Sequence, residues 1–246
     1  LWAKEFFAFR RRLGLPAGPN PIFDSKHSPY GTLAMFPSFF AKAQTDWPSS
    51  TLQTGFPYFE QPSLPVDRVV ADFLGSGEPP LVFTLGSIVA HFEPDFYREA
   101  CDAAIRLQRR AILLTGSGAI RIGRSNPKIL TLDYARLHEI LPRSAAVVHA
   151  GGIGTCGEAL RAGIPSVIIP FSFDQPDNAQ RMKRLGVAEI LSRRSIKATA
   201  IAIKLERVLR DPSYTLLARN CANQINAAPT MDLVLDKMES LRASVE

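Results

Sequence analysis

Apolar residues near the start of the chain recur at spacings of four, three and four: Trp2, Phe6, Phe9 and Leu13. That is the period of a helix with one buried stripe, and Gly14 followed by Pro16 ends it. Two short runs, 32–36 and 52–56, read as strands separated by Pro37, Pro48 and other turn-forming residues. One helix and two strands cannot close a core. Residues 1–60 are therefore expected to be the remnant of an amino-terminal domain whose bulk lies upstream, and the first residue, Leu rather than Met, fits that expectation.

Pro57, Pro62, Pro65, Pro79 and Pro80 mark a connector, taken as 61–80, with a short helix over 67–74. Beyond it the pattern becomes regular. Apolar runs at 81–85, 111–115, 128–132, 145–149, 166–169 and 188–191 alternate with helical stretches at 94–108, 137–141, 155–162 and 178–185. Near-continuous apolar strands separated by helices imply a parallel sheet covered on both faces, so 81–228 reads as a Rossmann-like, doubly wound α/β domain. Ligands of such sheets bind beyond the carboxyl ends of the strands, which directs attention to the loops after Leu85, Leu132, His149 and Ile169. The stretch 197–246 reads as two or three helices broken at Asp211-Pro212 and Pro229, leaving 229–246 as a terminal helix.

Composition narrows the classes. With 246 residues and 46% hydrophobic content, the chain can bury a core and is not a disordered protein. Its formal charge of +6 raises a nucleic-acid reading. The cations, however, fall in scattered clusters at 10–12, 109–110, 181–184 and 193–194 without interleaved aromatics, the pattern of solvated helix faces, and no nucleic-acid partner is expected. Cys101, Cys156 and Cys221 show neither CxxC spacing nor His neighbours at metal-ligand intervals, so neither a disulfide framework nor a zinc site is indicated, and a cytoplasmic location is expected. No apolar run approaches the ~18 residues of a membrane span and the start is not a signal peptide; peripheral membrane contact stays open.

The chemistry concentrates in Val148-His149-Ala150-Gly151-Gly152-Ile153-Gly154-Thr155-Cys156-Gly157-Glu158. A strand ends at His149, a glycine-rich turn follows, and a helix opens near Thr155. Free N–H groups at a helix start carry partial positive charge, and glycines admit a ligand close to the backbone, so the segment suits a phosphate. The stretch 152–157 also satisfies GxGxxG, the dinucleotide fingerprint. Against that reading, about three strand units precede it, and the next strand ends Ile168-Ile169-Pro170 without the expected acidic residue. A glycine turn that merely packs a helix on a sheet is the remaining alternative.

Downstream, Gly163-Ile164-Pro165 and Pro170-Phe171-Ser172-Phe173-Asp174-Gln175-Pro176-Asp177-Asn178-Ala179 complete the order HxGGxGT, GxP, PxxxDQxxNA. This closely resembles the donor-binding signature of nucleotide-sugar-dependent glycosyltransferases, nearest to bacterial enzymes acting on sterols, macrolides, glycopeptides and other lipophilic acceptors. The likeness extends to Val82–Ser87, to a base loop from Asp133-Tyr134 to Leu141-Pro142-Arg143, and to Thr54-Gly55-Phe56 before the connector. It implies a GT-B fold in which the carboxy-terminal domain holds a UDP- or TDP-sugar. By the same resemblance His149 contacts the diphosphate, Gly152, Gly154 and Thr155 offer it backbone or hydroxyl donors, and Ser87 approaches from the opposite loop. Asp174 and Gln175 would bond hydroxyls of the transferred sugar. Glu158 stands nine residues after the His, where many plant-type members place a ribose-binding Glu at eight; it reads either as that contact or as a first-turn acid favoured by the helix dipole. Arg136 stands where related members carry Pro, so no side chain is assigned to the base. Cys156, near a helix start, reads as a reactive thiol or as a small packing residue, the latter preferred.

The implied chemistry is transfer of a hexose with inversion to a hydroxyl of a lipophilic acceptor. Without a DxD-like motif, the leaving diphosphate is expected to be stabilised by His149 and helix amides, with no cofactor and no metal. The general base belongs to the expected upstream region; His27, His91 and His138 do not match its context. The chain alone is thus expected to bind donor and to turn over little. A nucleotide-sugar epimerase on the same architecture and a non-catalytic nucleotide-binding module stand as alternatives.

Overall fold

The computed structural model describes residues 3–21, 23–24, 27–58, 67–86, 93–116, 126–228 and 230–243. The chain divides into two compact units, one formed by residues 1–57 with 229–246 and the other by 58–228.

In the first unit, α1 (Lys4–Arg12) forms where the sequence period placed a helix, but the expected stripe is not buried: Phe6, Phe9 and Leu13 are exposed, and Trp2 lies outside the described residues. Strands β1 (Thr32–Ala34) and β2 (Thr51–Gln53) are shorter than the apolar runs around them and pair in parallel, Leu33 opposite Leu52. The chain leaves β2 through Thr54 and Gly55. The latter has φ 120°, and a Cβ there would lie 2.4 Å from the Thr230 hydroxyl, so only glycine is accommodated. The terminal helix over 230–243 belongs to this unit, and the Thr230 hydroxyl donates to the Thr54 carbonyl at 3.3 Å.

The second unit opens with α2 (Arg68–Gly75), capped by the Asp67 carboxylate accepting from Val69 N. Six strands follow in one all-parallel sheet: β3 (Leu81–Thr84), β4 (Ala111–Leu114), β5 (Ile129–Leu132), β6 (Ala146–His149), β7 (Ser166–Ile168) and β8 (Ala188–Ile190). Their spatial order is β5-β4-β3-β6-β7-β8. The chain thus builds outward from β3 in one direction, returns, and builds outward from β6 in the other, which is the doubly wound order of a Rossmann-like domain.

Both sheet faces are covered. Leu81, Phe83, Leu113, Val148 and Val167 pack on one side with α3 (Pro94–Arg106) and α7 (Ala198–Arg210). The alternate residues Val82, Ile112, Val147 and Ile168 are equally inaccessible. This is why the strands read as unbroken apolar runs. Among the described residues the unit's other α-helices are the single turn α4 (Leu137–Ile140), α5 (Ile153–Ala162), α6 (Gln175–Arg184) and α8 (Pro212–Asn226); α5 packs against α4, α6 and α8. The terminal helix, α9 (Thr230–Ala243), lies in the first unit.

Tyr97 of α3 ties the carboxyl ends of two neighbouring strands together. Its hydroxyl donates to the Leu114 carbonyl at 2.6 Å and accepts from Leu85 N at 3.4 Å, and burial pushes its pKa up to about 12. Polar anchoring at the other edge comes from Glu189 on β8, which accepts from Lys204 Nζ at 2.5 Å and from the Tyr214 hydroxyl at 2.8 Å.

Candidate functional site

The strand order reverses between β3 and β6, the switch point outside whose carboxyl ends open α/β sheets bind their ligands. The last residues of the two strands, Thr84 and His149, lie opposite each other in register. Past His149 the chain turns sharply through Gly151, whose φ is 92°. A Cβ there would lie 2.9 Å from Ile168 Cγ2 and 3.2 Å from the Gln175 carbonyl oxygen, so the turn needs glycine for its conformation and for its space.

Gly152 is the N-cap of α5, and the helix opens at Ile153, two residues before the start read from the sequence. The two glycines placed in the expected turn hid that first helical turn from the apolar pattern. The first intrahelical bond runs from Cys156 N to Gly152 O at 3.0 Å. The amides of Ile153, Gly154 and Thr155 precede it and have no intrahelical acceptor, and Gly152 brings no side chain to cap them. A Cβ at Gly152 or Gly154 would meet open space. Three outward amides, the positive end of a ten-residue helix and unobstructed approach make an anion site.

His149 is 1% exposed. Its Nδ1 accepts a hydrogen bond from Gly151 N at 3.1 Å, which places the proton of the neutral ring on Nε2. Nε2 is buried and without a hydrogen-bond partner among the described residues. Burial lowers the ring's pKa from 6.5 to about 3, so the imidazole is neutral at physiological pH. A buried donor without an acceptor is costly, and such groups mark places where a ligand completes the bonding.

The third component is the loop from β7 into α6. Asp174 stands at the N-cap of α6, yet its carboxylate makes no cap bond to the helix. Instead Oδ2 accepts from Asn178 Nδ2 at 2.7 Å, and the same amide group donates to the Gly151 carbonyl at 3.0 Å. Asn178, 6% exposed, thereby locks the glycine turn to the Asp174 carboxylate. Gln175 Oε1 accepts from Phe171 N at 2.9 Å and Ser172 N at 3.1 Å, which fixes the loop and leaves its amide NH2 group to point elsewhere.

Residues 102–241 match the family model described as Erythromycin biosynthesis protein CIII-like, C-terminal domain. The chain belongs to this family, the carboxy-terminal half of GT-B glycosyltransferases. It is 33% identical over 226 residues to the O-mycaminosyltylonolide 6-deoxyallosyltransferase of Streptomyces fradiae, covering 91% of this chain and 53% of that protein. Among solved structures, the glycotransferase of kitacinnamycin superposes with a TM-score of 0.80 at 20% identity, over 97% of this chain and 61% of that one. The spinosyn rhamnosyltransferase SpnG complexed with thymidine diphosphate gives a TM-score of 0.65 at 22% identity, over 87% and 57%. The chain spans about half the length of the curated relatives it matches.

Within the EryCIII-like fold, the residues expected from the sequence are distributed as follows. His149, Gly152, Gly154 and Thr155 gather on the turn between β6 and α5, Asp174 is joined to that turn through Asn178, and the Gln175 side chain bonds within its own loop, to Phe171 N and Ser172 N. Ser87 and His91 lie outside the described residues. Glu158 sits in the second turn of α5, not the first, with Oε2 buried and lacking a hydrogen-bond partner among the described residues, and burial raises its pKa despite Arg161 and His138 nearby. Beside it the Tyr58 hydroxyl donates to the Gly157 carbonyl at 2.7 Å, and Arg161 stacks over the Tyr58 ring at 4.5 Å. Cys156 is fully buried with its thiol pKa pushed up to about 12 by burial and by Asp174, which makes it a packing residue. In the loop after β5, Tyr134 is 78% exposed, whereas Arg136 pairs with Glu139 at 2.5 Å. Asn178 was visible in the sequence only as a letter of the motif; its bridging role depends on a contact 27 residues away.

Proposed function

We propose that this chain supplies the nucleotide-sugar site of an enzyme that transfers a hexose, with inversion, from a UDP- or TDP-sugar to a hydroxyl of a lipophilic acceptor. One observation carries the reading: three uncapped helix amides and a buried imidazole N–H without a partner among the described residues stand together at the switch point of the sheet. The thymidine diphosphate complex of a similar fold and the deoxyhexosyl transfer named for the Streptomyces fradiae relative support a nucleoside diphosphate as the anion.

In this reading the acceptor hydroxyl attacks the anomeric carbon, the bond from that carbon to the diphosphate oxygen breaks, and the proton passes to a base. Negative charge grows on the leaving diphosphate. The amides of Ile153, Gly154 and Thr155 and the Nε2–H of His149 are the donors for it, fixed before the reaction by the fold and so requiring little reorganisation. Asp174 and the free amide of Gln175 orient hydroxyls of the sugar. The unpartnered Glu158 oxygen is the acceptor for a hydroxyl of the ribose. No divalent metal is needed in this scheme.

Calorimetric titration of the chain with TDP and UDP tests it. Binding is expected for at least one of them and unchanged in EDTA. Replacing His149 with Ala is expected to weaken it roughly 10- to 100-fold, the value of a hydrogen bond to a charged group. No binding of either nucleotide would remove the proposal.

A further inference from the structure

Two described residues other than glycine have left-handed backbone angles, Gln108 at φ 55° and Phe173 at φ 57°. Gln108 is accounted for by its place at the end of α3, where Gln108 N bonds Ile105 O and Arg109 N bonds Ala104 O, the usual way a helix terminates. Phe173 lies inside a tight turn closed by Gln175 N bonding Ser172 O at 3.2 Å, at a first central position whose positive φ normally calls for glycine. It follows a strand and precedes a helix, and a bulky side chain in that region is strained where glycine would not be. Its ring is 89% exposed and touches no other ring among the described residues, whereas Phe171, two positions earlier, lies beneath Arg193 at 5.1 Å. The loop is held in this shape by Gln175 Oε1 gripping Phe171 N and Ser172 N. A strained backbone here displays a large apolar ring to solvent, an arrangement unfavourable twice over unless something covers the ring.

The position names the occupant. Phe173 directly precedes Asp174, whose carboxylate forgoes the helix-cap bond and is held by Asn178 instead. The two Cα atoms are about 3.8 Å apart and both side chains are exposed, so a ligand the size of one sugar ring bound at the carboxylate is within reach of the aromatic ring. A pyranose offers hydroxyls at its rim and a face of C–H groups whose partial positive charge suits the electron-rich face of an aromatic ring. We infer that Phe173 is a substrate-contacting residue that stacks on the C–H face of the transferred sugar while Asp174 binds its hydroxyls. The inference rests on the donor-site reading above.

The experiment measures TDP and TDP-glucose affinity for the wild-type chain, Phe173→Gly and Phe173→Leu, together with thermal unfolding. Phe173→Gly is expected to weaken TDP-glucose about fivefold or more, to change TDP less than twofold, and to raise the unfolding midpoint by about 2–4 °C as the strain is relieved. Phe173→Leu keeps the strain and loses the ring, so it is expected to weaken TDP-glucose without the thermal gain. If TDP-glucose and TDP affinities change together, or neither changes in both variants, the sugar contact is refuted while the donor reading stands. If the wild-type chain binds neither ligand, both fall.

Discussion

His149 stays neutral in the fold because its ring is buried, and the cost of that neutrality depends on pH. Its folded pKa, about 3, lies below the ordinary 6.5, so the unfolded chain takes up a proton first as pH falls. Stability is therefore unaffected by this group above about pH 6.5 and is lost as pH drops toward 3, at about 1.4 kcal/mol per unit. At pH 5 the loss is on the order of 2 kcal/mol. Denaturant unfolding at pH 7 and pH 5 checks this: His149→Asn, which does not titrate, is expected to lose about 2 kcal/mol less than wild type over that interval. Equal losses in the two proteins would show that the ring is protonated in the fold. Over the same range diphosphate binding has no step from this ring, since Nε2 keeps its proton throughout. The sequence marked His149 by its place at a strand end, but neither the tautomer nor the orphaned Nε2 could be read there, because both depend on the Gly151 amide turning back onto the ring.

At the scale of elements, the turn from β6 into α5 uses its glycines for different purposes. Gly151 serves the fold: its φ of 92° and the closeness of Ile168 and Gln175 leave no space for a side chain. Gly154 serves the ligand, since it lies in the first turn of a helix with nothing within reach of a Cβ. Thermal unfolding and TDP titration separate them. Gly151→Ala is expected to destabilise the protein by about 2–4 kcal/mol, from backbone strain and overpacking together. Gly154→Ala is expected to leave stability unchanged or raise it by up to ~1 kcal/mol, as alanine favours a helix, while lowering TDP affinity about tenfold or more. A Gly154→Ala protein that binds TDP as wild type does would place the anion elsewhere. The sequence pattern located this turn and the strands around it, since a sheet buried on both faces leaves continuous apolar runs. It placed the helix start two residues late, because a first turn of Ile-Gly-Thr carries no apolar periodicity. The loop after β7 was legible as a motif but not as a structure: Asp at an N-cap is ordinarily a cap, and only the fold shows Asp174 turned toward Asn178 instead.

For the molecule as a whole, the sheet order β5-β4-β3-β6-β7-β8 decides where function can reside. The parallel alternation of strands and helices implied such a domain, and the reversal between β3 and β6 then brings Thr84 and His149 side by side at the switch point. The membership of the terminal helix in the unit with residues 1–57 was not legible, because it depends on contacts such as that of Thr230 with Thr54 across most of the chain. The structure contains no helix, among the described residues, long and apolar enough to cross a membrane. The central claim is that the start of α5 holds a diphosphate, and amide-resolved NMR during a TDP titration tests it most directly. The amide resonances of Ile153, Gly154 and Thr155 are expected to move downfield together and to saturate with the calorimetric affinity. Saturable TDP binding that leaves those three amides unmoved would contradict the account.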